Sequence, residues 1–301
     1  MGESSLGAAT TVVTVVHGRH EHLSEQRRVL GAVSPLTPHV VVAIEDAGID
    51  EVVERSGGRG VSVVHVDSDP RGLPLARARN IGVEVALAGG AELVVLLDVD
   101  CVPGPQLVTA YERAASWAPG ALLAGPVTYL AEETAVPADP SRLDRLTHPH
   151  VGRPAPSDGE IERGGDHRLF WSLSAAMSAA TWRLLGGFDE TYVGYGGEDT
   201  DFGRIAQALG VDLVWVGGAH AYHQFHPVSR PPVEHLADIV RNAEIFRRRW
   251  HEWPMEGWLE EFESRDLIVR RGDQIELVPK AESGPHERRE VPLGRRVGWG
   301  S

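Results

Sequence analysis

Cysteine is nearly absent. Cys101 is the single one in 301 residues, which excludes an intrachain disulfide framework and suits a reducing compartment. Such a cysteine reads as a small buried residue rather than a nucleophile. Basic side chains are outnumbered, 29 Lys and Arg against 43 Asp and Glu. The resulting formal charge of −14 argues against a nucleic-acid partner, which needs a basic face to meet phosphate. No stretch reaches the roughly 18 apolar residues of a membrane span. The first residues also lack a basic segment followed by an apolar core, so no secretory signal is expected. These absences together read as a cytoplasmic soluble protein. What is present is ordinary: 42% hydrophobic and 24% charged, in a chain long enough for one large α/β domain with an appendage.

The patterning alternates between strand and helix. Thr11-Val12-Val13-Thr14-Val15-Val16 reads as a strand broken by His17-Gly18-Arg19-His20. Residues 21–33 space Leu23, Val29 and Leu30 as a helix does, before Pro35. Strands follow at 39–44, ended by Glu45-Asp46, and at 61–66, ended by Asp67, with a loop expected between them. This alternation is that of a doubly wound parallel sheet. Residues 75–87 form a helix closed by Gly89-Gly90, with Arg77 and Arg79 in its first turns. Cations there oppose the helix dipole, and an anionic ligand would account for them. A helix over 106–116, a strand over 121–129 and a long polar loop over 131–167 come next. His20, His148, His150 and His167 share no metal-ligand spacing and read as loop histidines.

The chain is organised around Ala91-Glu92-Leu93-Val94-Val95-Leu96-Leu97-Asp98-Val99-Asp100, an apolar run that ends in two carboxylates. A short β-branched and leucine-rich run suits a strand buried on both faces, and ligands of open α/β sheets collect at the carboxyl ends of such strands. Asp98 and Asp100 would emerge there on one side of an extended backbone. Two close carboxylates repel unless a cation lies between them, and a hard divalent ion holding phosphate oxygens is one answer. The plainer reading is a strand-end turn leading into Cys101-Val102-Pro103-Gly104-Pro105. A second constellation follows a short helix at 180–185: Gly186-Gly187-Phe188-Asp189-Glu190, then Gly194-Tyr195-Gly196-Gly197-Glu198-Asp199. Glycines flanking acids imply a tight bend or a close ligand. Glu198 and Asp199 stand where a helix to Leu209 begins, a place that favours carboxylates.

In this order the motifs resemble those of nucleotide-sugar glycosyltransferases of the GT-A fold, in the broad family-2 group. The C-terminal half is similar to galactosyl- and N-acetylgalactosaminyltransferases. The resemblance spans about residues 11–226 and rests on Arg19, Ala78-Arg79-Asn80-Ile81-Gly82, Asp98-Val99-Asp100 and the two glycine-rich runs. It implies a Rossmann-like, mixed but mainly parallel sheet flanked by helices, with a C-terminal helical extension. It implies too that Arg19, Glu45, Asp67 and Arg79 line the nucleotide pocket, with Asp98 near ribose or water-bridged to metal. Asp100 would ligate Mn²⁺ or Mg²⁺, Asp199 would be the general base, and Glu198 would hold acceptor hydroxyls. Gly196 and Gly197 would let the backbone approach the donor, and Tyr195 would pack on a sugar ring. The family returns a histidine to the metal after a later strand. Of the histidines in His220-Ala221-Tyr222-His223-Gln224-Phe225-His226, His223 matches best, with His220 next.

The chemistry agrees with that resemblance. An inverting transfer needs a carboxylate to take the acceptor proton and a metal to neutralise the leaving nucleoside diphosphate. The expected activity is transfer from a nucleotide diphosphate sugar, most simply a UDP-sugar, to a carbohydrate or other hydroxyl acceptor. Two readings compete. A nucleotidyltransferase would carry a glycine-rich loop with a lysine where this chain has His17-Gly18-Arg19. A non-catalytic nucleotide-sugar-binding protein would not need both Asp100 and Asp199. The domain expectation is 1–230 for the GT-A unit, 231–264 for the helical extension and 265–301 for a charged tail. Helical spacing over 233–250 and a strand over 274–278 fall within the last two. A homodimer, and peripheral membrane contact through a lipid-linked acceptor, stay open.

Overall fold

The computed structural model describes residues 9–57 and 60–279. The expectations for the extreme N-terminus and for the end of the charged tail lie outside the described residues. The first half runs β1 (Thr10–Val16), α1 (His20–Val33), β2 (His39–Ile44), α2 (Gly48–Arg55), β3 (Val61–Val66), α3 (Leu75–Ala88) and β4 (Leu93–Leu97). β1 pairs in parallel with β2 and β4, and β2 in parallel with β3. Every residue of β2 and β4 is buried, as expected of strands covered on both sides. Val94 and Leu96 face one core with α3, while Leu93, Val95 and Leu97 face another. Gly82 lets α3 lie close on the sheet, because a Cβ there would strike the side chains of Val13 and Val42.

The loop expected between β2 and β3 is instead the helix α2. Ile49, Val52 and Val53 on it are buried against β2. Their i, i+3, i+4 spacing is a helical signature on an element only 8 residues long.

The second half runs β5 (Cys101–Pro103), α4 (Leu107–Trp117), β6 (Leu122–Ala124), β7 (Val127–Tyr129), β8 (Ile161–Glu162), β9 (Ser174–Ser178), α5 (Ala179–Leu185), α6 (Glu198–Ala208), β10 (Leu213–Val216) and β11 (Ala221–His223). The eight-stranded sheet has the order β3-β2-β1-β4-β9-β6-β10-β8. It is mixed: β9 pairs antiparallel with both β4 and β6, and β8 antiparallel with β10. The strand expected over 121–129 is two strands in two sheets. The chain leaves the main sheet after Ala124 and joins a three-stranded sheet of order β5-β11-β7. Gly125 makes this possible, since a Cβ there would collide with the Ala219 carbonyl.

The described residues end with α7 (Leu236–Trp250), α8 (Glu256–Ser264) and the hairpin β12 (Ile268–Arg271) and β13 (Gln274–Leu277). Ile239, Val240 and Ala243 of α7, Leu259 and Phe262 of α8, and Ile268 and Ile275 of the hairpin form one apolar cluster. Among the described residues no helix is long and apolar enough to cross a membrane.

Candidate active site

The Asp98–Asp100 turn is fixed from below. Gln26 of α1 is fully buried and its amide donates to the carbonyls of Asp98 and Cys101, each at 2.8 Å. Asp98 N–H donates to Leu173 O at 3.0 Å, tying the turn to the segment before β9. The small sheet then brings a distant histidine to this turn. β5 and β11 run antiparallel with Cys101 opposite His223, and Gln224 N–H donates to Asp100 O at 2.6 Å.

His223 Nε2 lies 3.4 Å and His226 Nε2 3.3 Å from Asp100 Oδ2. The three ligand atoms are all within 4.8 Å of one another, the metal-capable group found among the described residues. One carboxylate and two imidazoles suit Mn²⁺ or a similar borderline divalent ion. Burial by itself raises Asp100, but a hydrogen bond from His226 and the charges of His223 and His226 bring it below the ordinary carboxylate value. Burial lowers His223, favouring the neutral imidazole that a metal requires. His220, the alternative ligand, faces elsewhere: its Nε2 sits 2.8 Å from Thr128 Oγ1, and burial pushes it down to about 4. His226 is the residue that sequence reasoning did not select. Cys101 is buried with its thiol raised well above its usual value by burial, so it is inert.

Beside this group stands a second one. Arg79 of α3 is buried, with Nη1 3.1 Å from Glu198 Oε1 and Nη2 3.4 Å from Asp98 Oδ1. Burial and the neighbouring Asp199 push Glu198 up to about 7 in spite of Arg79. Burial raises Asp98 against the pull of Arg79, with the charges of Asp100 and Asp199 adding to the rise. Asp98 therefore senses both groups. Asp199 Oδ2 accepts the Ser172 N–H at 2.8 Å, whereas its Oδ1 is buried without a hydrogen-bond partner among the described residues.

The bend that presents Glu198 and Asp199 depends on glycine: Gly194, Gly196 and Gly197 have φ of 76°, 88° and 97°. It is held by α7. Asn242, fully buried, donates its amide to the carbonyls of Val193 (3.1 Å), Tyr195 (3.3 Å) and Gly196 (2.7 Å), and Asp238 accepts from Tyr195 N–H. These two residues were invisible in an amphipathic helix whose spacing indicates only packing. Tyr195 is 38% exposed and stacks on His235 at 4.6 Å, with Trp258 of α8 beyond at 5.9 Å.

The remaining expected residues are spread along the same edge. Arg19 is exposed, left-handed at the start of α1, and its charge reaches Asp100. Glu45 and Asp67 stand exposed after β2 and β3. Two and three strands from β4, they lie roughly 10 and 14 Å away across the sheet. The acid with structural contacts there is Asp46, which accepts from Gly18 N–H at 2.9 Å and lies 2.8 Å from His20 Nε2.

Residues 167–229 match the family model described as the N-terminal domain of galactosyltransferase. Validoxylamine A glucosyltransferase of Streptomyces hygroscopicus subsp. jinggangensis is 27% identical over 69% of this chain and 53% of its own length. Hyaluronan synthase of Pasteurella multocida is 24% identical over 70% of this chain and 24% of its own. The chain thus spans about half the length of the first of these relatives. Among solved structures, S. aureus TarS 1-349 in complex with UDP superposes with a TM-score of 0.54, at 14% identity, over 86% of this chain and 78% of that one. GalNAc-T7 with UDP, GalNAc and Mn²⁺ gives a TM-score of 0.53 at 15% identity, over 86% and 57%. In fold and in sequence the chain is thus similar to glycosyltransferases of the GT-A type.

Proposed function

We propose that the chain is a metal-dependent, inverting glycosyltransferase that moves a sugar from a nucleotide diphosphate sugar, most simply a UDP-sugar, to a hydroxyl acceptor. The observation that carries this reading is the meeting of Asp100, His223 and His226 beside a carboxylate, Asp199, that keeps one buried oxygen free. The TarS and GalNAc-T7 structures each hold UDP, and the second holds Mn²⁺, which supports the choice of donor and cation.

Asp100, His223 and His226 would hold Mn²⁺ or Mg²⁺, whose charge would stabilise the departing diphosphate. The protein's own groups divide the rest. Asp199, aimed by the Ser172 N–H, receives the proton of the acceptor hydroxyl at Oδ1. Glu198, held by Arg79, orients an acceptor hydroxyl, while the same guanidinium keeps Asp98 available for ribose. Arg19, Glu45 and Asp67 line the edge along which the nucleotide lies, and Tyr195 with Gly196 and Gly197 borders the transferred sugar. The free carboxylate oxygen serves a single displacement, for which no second nucleophile is required.

The test is the thermal midpoint with UDP and with GDP, each with and without Mn²⁺. A Mn²⁺-dependent rise with UDP is expected, lost in Asp100→Ala and kept in Asp199→Asn. Asp199→Asn should also lower transfer by about 10²–10⁴-fold. Full transfer activity in Asp199→Asn would sink the base assignment, and no nucleotide response in the intact chain would overturn the donor reading.

A further inference from the structure

Three buried polar groups without hydrogen-bond partners among the described residues lie at or beside Trp171-Ser172. Asp199 Oδ1 is one, on the carboxylate that binds the Ser172 N–H, and Ser172 Oγ is the second. The third is the head of Arg153, whose Nε, Nη1 and Nη2 all lack an acceptor among the described residues. Arg153 is 5% exposed, and its guanidinium lies over the Trp171 ring at 4.8 Å and the Trp215 ring at 4.7 Å. Two indoles therefore pack against this guanidinium, and its five N–H donors remain for a planar acceptor. Burial pulls this guanidinium down to about 10, against the raising influence of Tyr111, Tyr129 and Asp199, so it remains charged at neutral pH. A buried charged donor set with no acceptor is costly, and native structures rarely leave one so.

An aromatic row connects this head to the candidate metal ligands. Tyr129 lies 4.6 Å from His223, His150 lies 5.7 Å from Tyr129, and Trp171 lies 5.5 Å from His150. Arg153 comes next in the row, on the Trp171 ring. Tyr129 is 44% exposed, so the row begins at the surface of the cleft and ends at the buried cation.

We propose that the acceptor is an anion: a hydroxylated molecule whose carboxylate or phosphate docks on the edge of Arg153 while its reacting hydroxyl donates to Asp199 Oδ1. This deepens the glycosyltransferase reading and rests on it. The oxyanion supplies the paired acceptor that a guanidinium fork takes most strongly. The head is covered, so the anion reaches it when the turn at 150–153 opens. Val151 at the tip of that turn is 96% exposed, whereas His150 and Arg153 pack on Tyr129, Trp171 and Trp215, so opening exchanges these ring contacts for the anion. Acceptors that lack the anion leave the guanidinium unpaired and are discriminated against for that reason.

Ligand-observed NMR titration of the full chain, with a chelator present, tests this without any transfer assay. The probes are glucuronate and glycerol 1-phosphate, with glucose and glycerol as their neutral counterparts. Either or both anions should bind more tightly than the neutral partner, and the one that binds tells carboxylate from phosphate. Arg153→Met should weaken the anion by at least about tenfold, with Arg153→Lys intermediate, while the Mn²⁺-dependent UDP response persists in both. Equal binding of anionic and neutral probes, or an anion response unchanged in Arg153→Met, overturns the proposal. If Arg153→Met does not fold, co-crystals of the unaltered chain with each anion decide it. The oxyanion on the Arg153 edge supports the proposal, and only waters there overturns it. The UDP titration keeps the two ideas apart: anion binding without a UDP response retains this site and removes the donor reading, and the reverse does the opposite.

Discussion

Replacing Arg79 by Met should cost stability in a way that depends on pH. The substitution keeps an unbranched apolar stem and removes the cation. Arg79 and Glu198 have side chains only 8% and 9% exposed, with Nη1 and Oε1 3.1 Å apart. Removing one partner of a buried ion pair leaves the other uncompensated and costs about 3–5 kcal/mol. That figure applies where Glu198 is ionised, above its value of about 7. At pH 5.5 the acid is protonated, and the loss shrinks to that of the hydrogen bonds, about 1–2 kcal/mol. Linkage has the same sign. A carboxyl raised above its unfolded value holds its proton more firmly in the folded state, so its contribution is fully present below the unfolded value. It is lost as pH rises through the folded one. Without Arg79 the folded value climbs further, the loss continues to higher pH, and the difference between variant and parent grows. Urea unfolding followed by tryptophan fluorescence at pH 5.5 and pH 8, in chelator, measures it. Glu198→Gln added to Arg79→Met should recover part of the loss at pH 8. An equal penalty at both pH values, or one under about 1 kcal/mol at pH 8, would refute this account of the pair.

Two further outcomes discriminate between residues the sequence could not rank. Calorimetric titration with Mn²⁺ should find His226→Ala weakened by at least about tenfold, as for the loss of any group that fixes a metal, whereas His220→Ala, hydrogen-bonded to Thr128, should match the parent. Asn242→Leu leaves the carbonyls of Val193, Tyr195 and Gly196 without their donor, so denaturant unfolding should show a loss of about 2–3 kcal/mol. Its transfer rate should also fall while its UDP response stays, because the bend presenting Glu198 and Asp199 loosens and Asp100 is untouched.

The parts of the site that were legible are those where one chain segment carries both the pattern and the chemistry. The run before Asp98 announces itself because a strand covered on both faces needs no polar position, so its carboxylates stand out at its end. The glycine run before Glu198 is similar, since positive φ at Gly194, Gly196 and Gly197 demands glycine whatever packs around it. The missed helix α2 was readable from Ile49, Val52 and Val53, but 8 residues give barely two turns of signal. The broken strand at 121–129 was not readable, because continuous apolar residues look alike whether they stay in one sheet or change to another at Gly125.

The sequence by itself determined the mainly parallel half of the sheet, the Asp98–Asp100 turn at its carboxyl edge and the Glu198–Asp199 helix start, because burial on both faces and glycine-only backbone are local demands. Only the tertiary structure decided the partners. The pairing of Cys101 with His223 across a separate three-stranded sheet selects His223 and His226 over His220 beside Asp100. The approach of α7 selects Asn242 as the residue that holds the glycine bend, and packing against Trp171 and Trp215 buries Arg153 without an acceptor among the described residues. Each of these is a meeting of segments far apart in the chain, and residue spacing carries no information about which distant side chain will arrive.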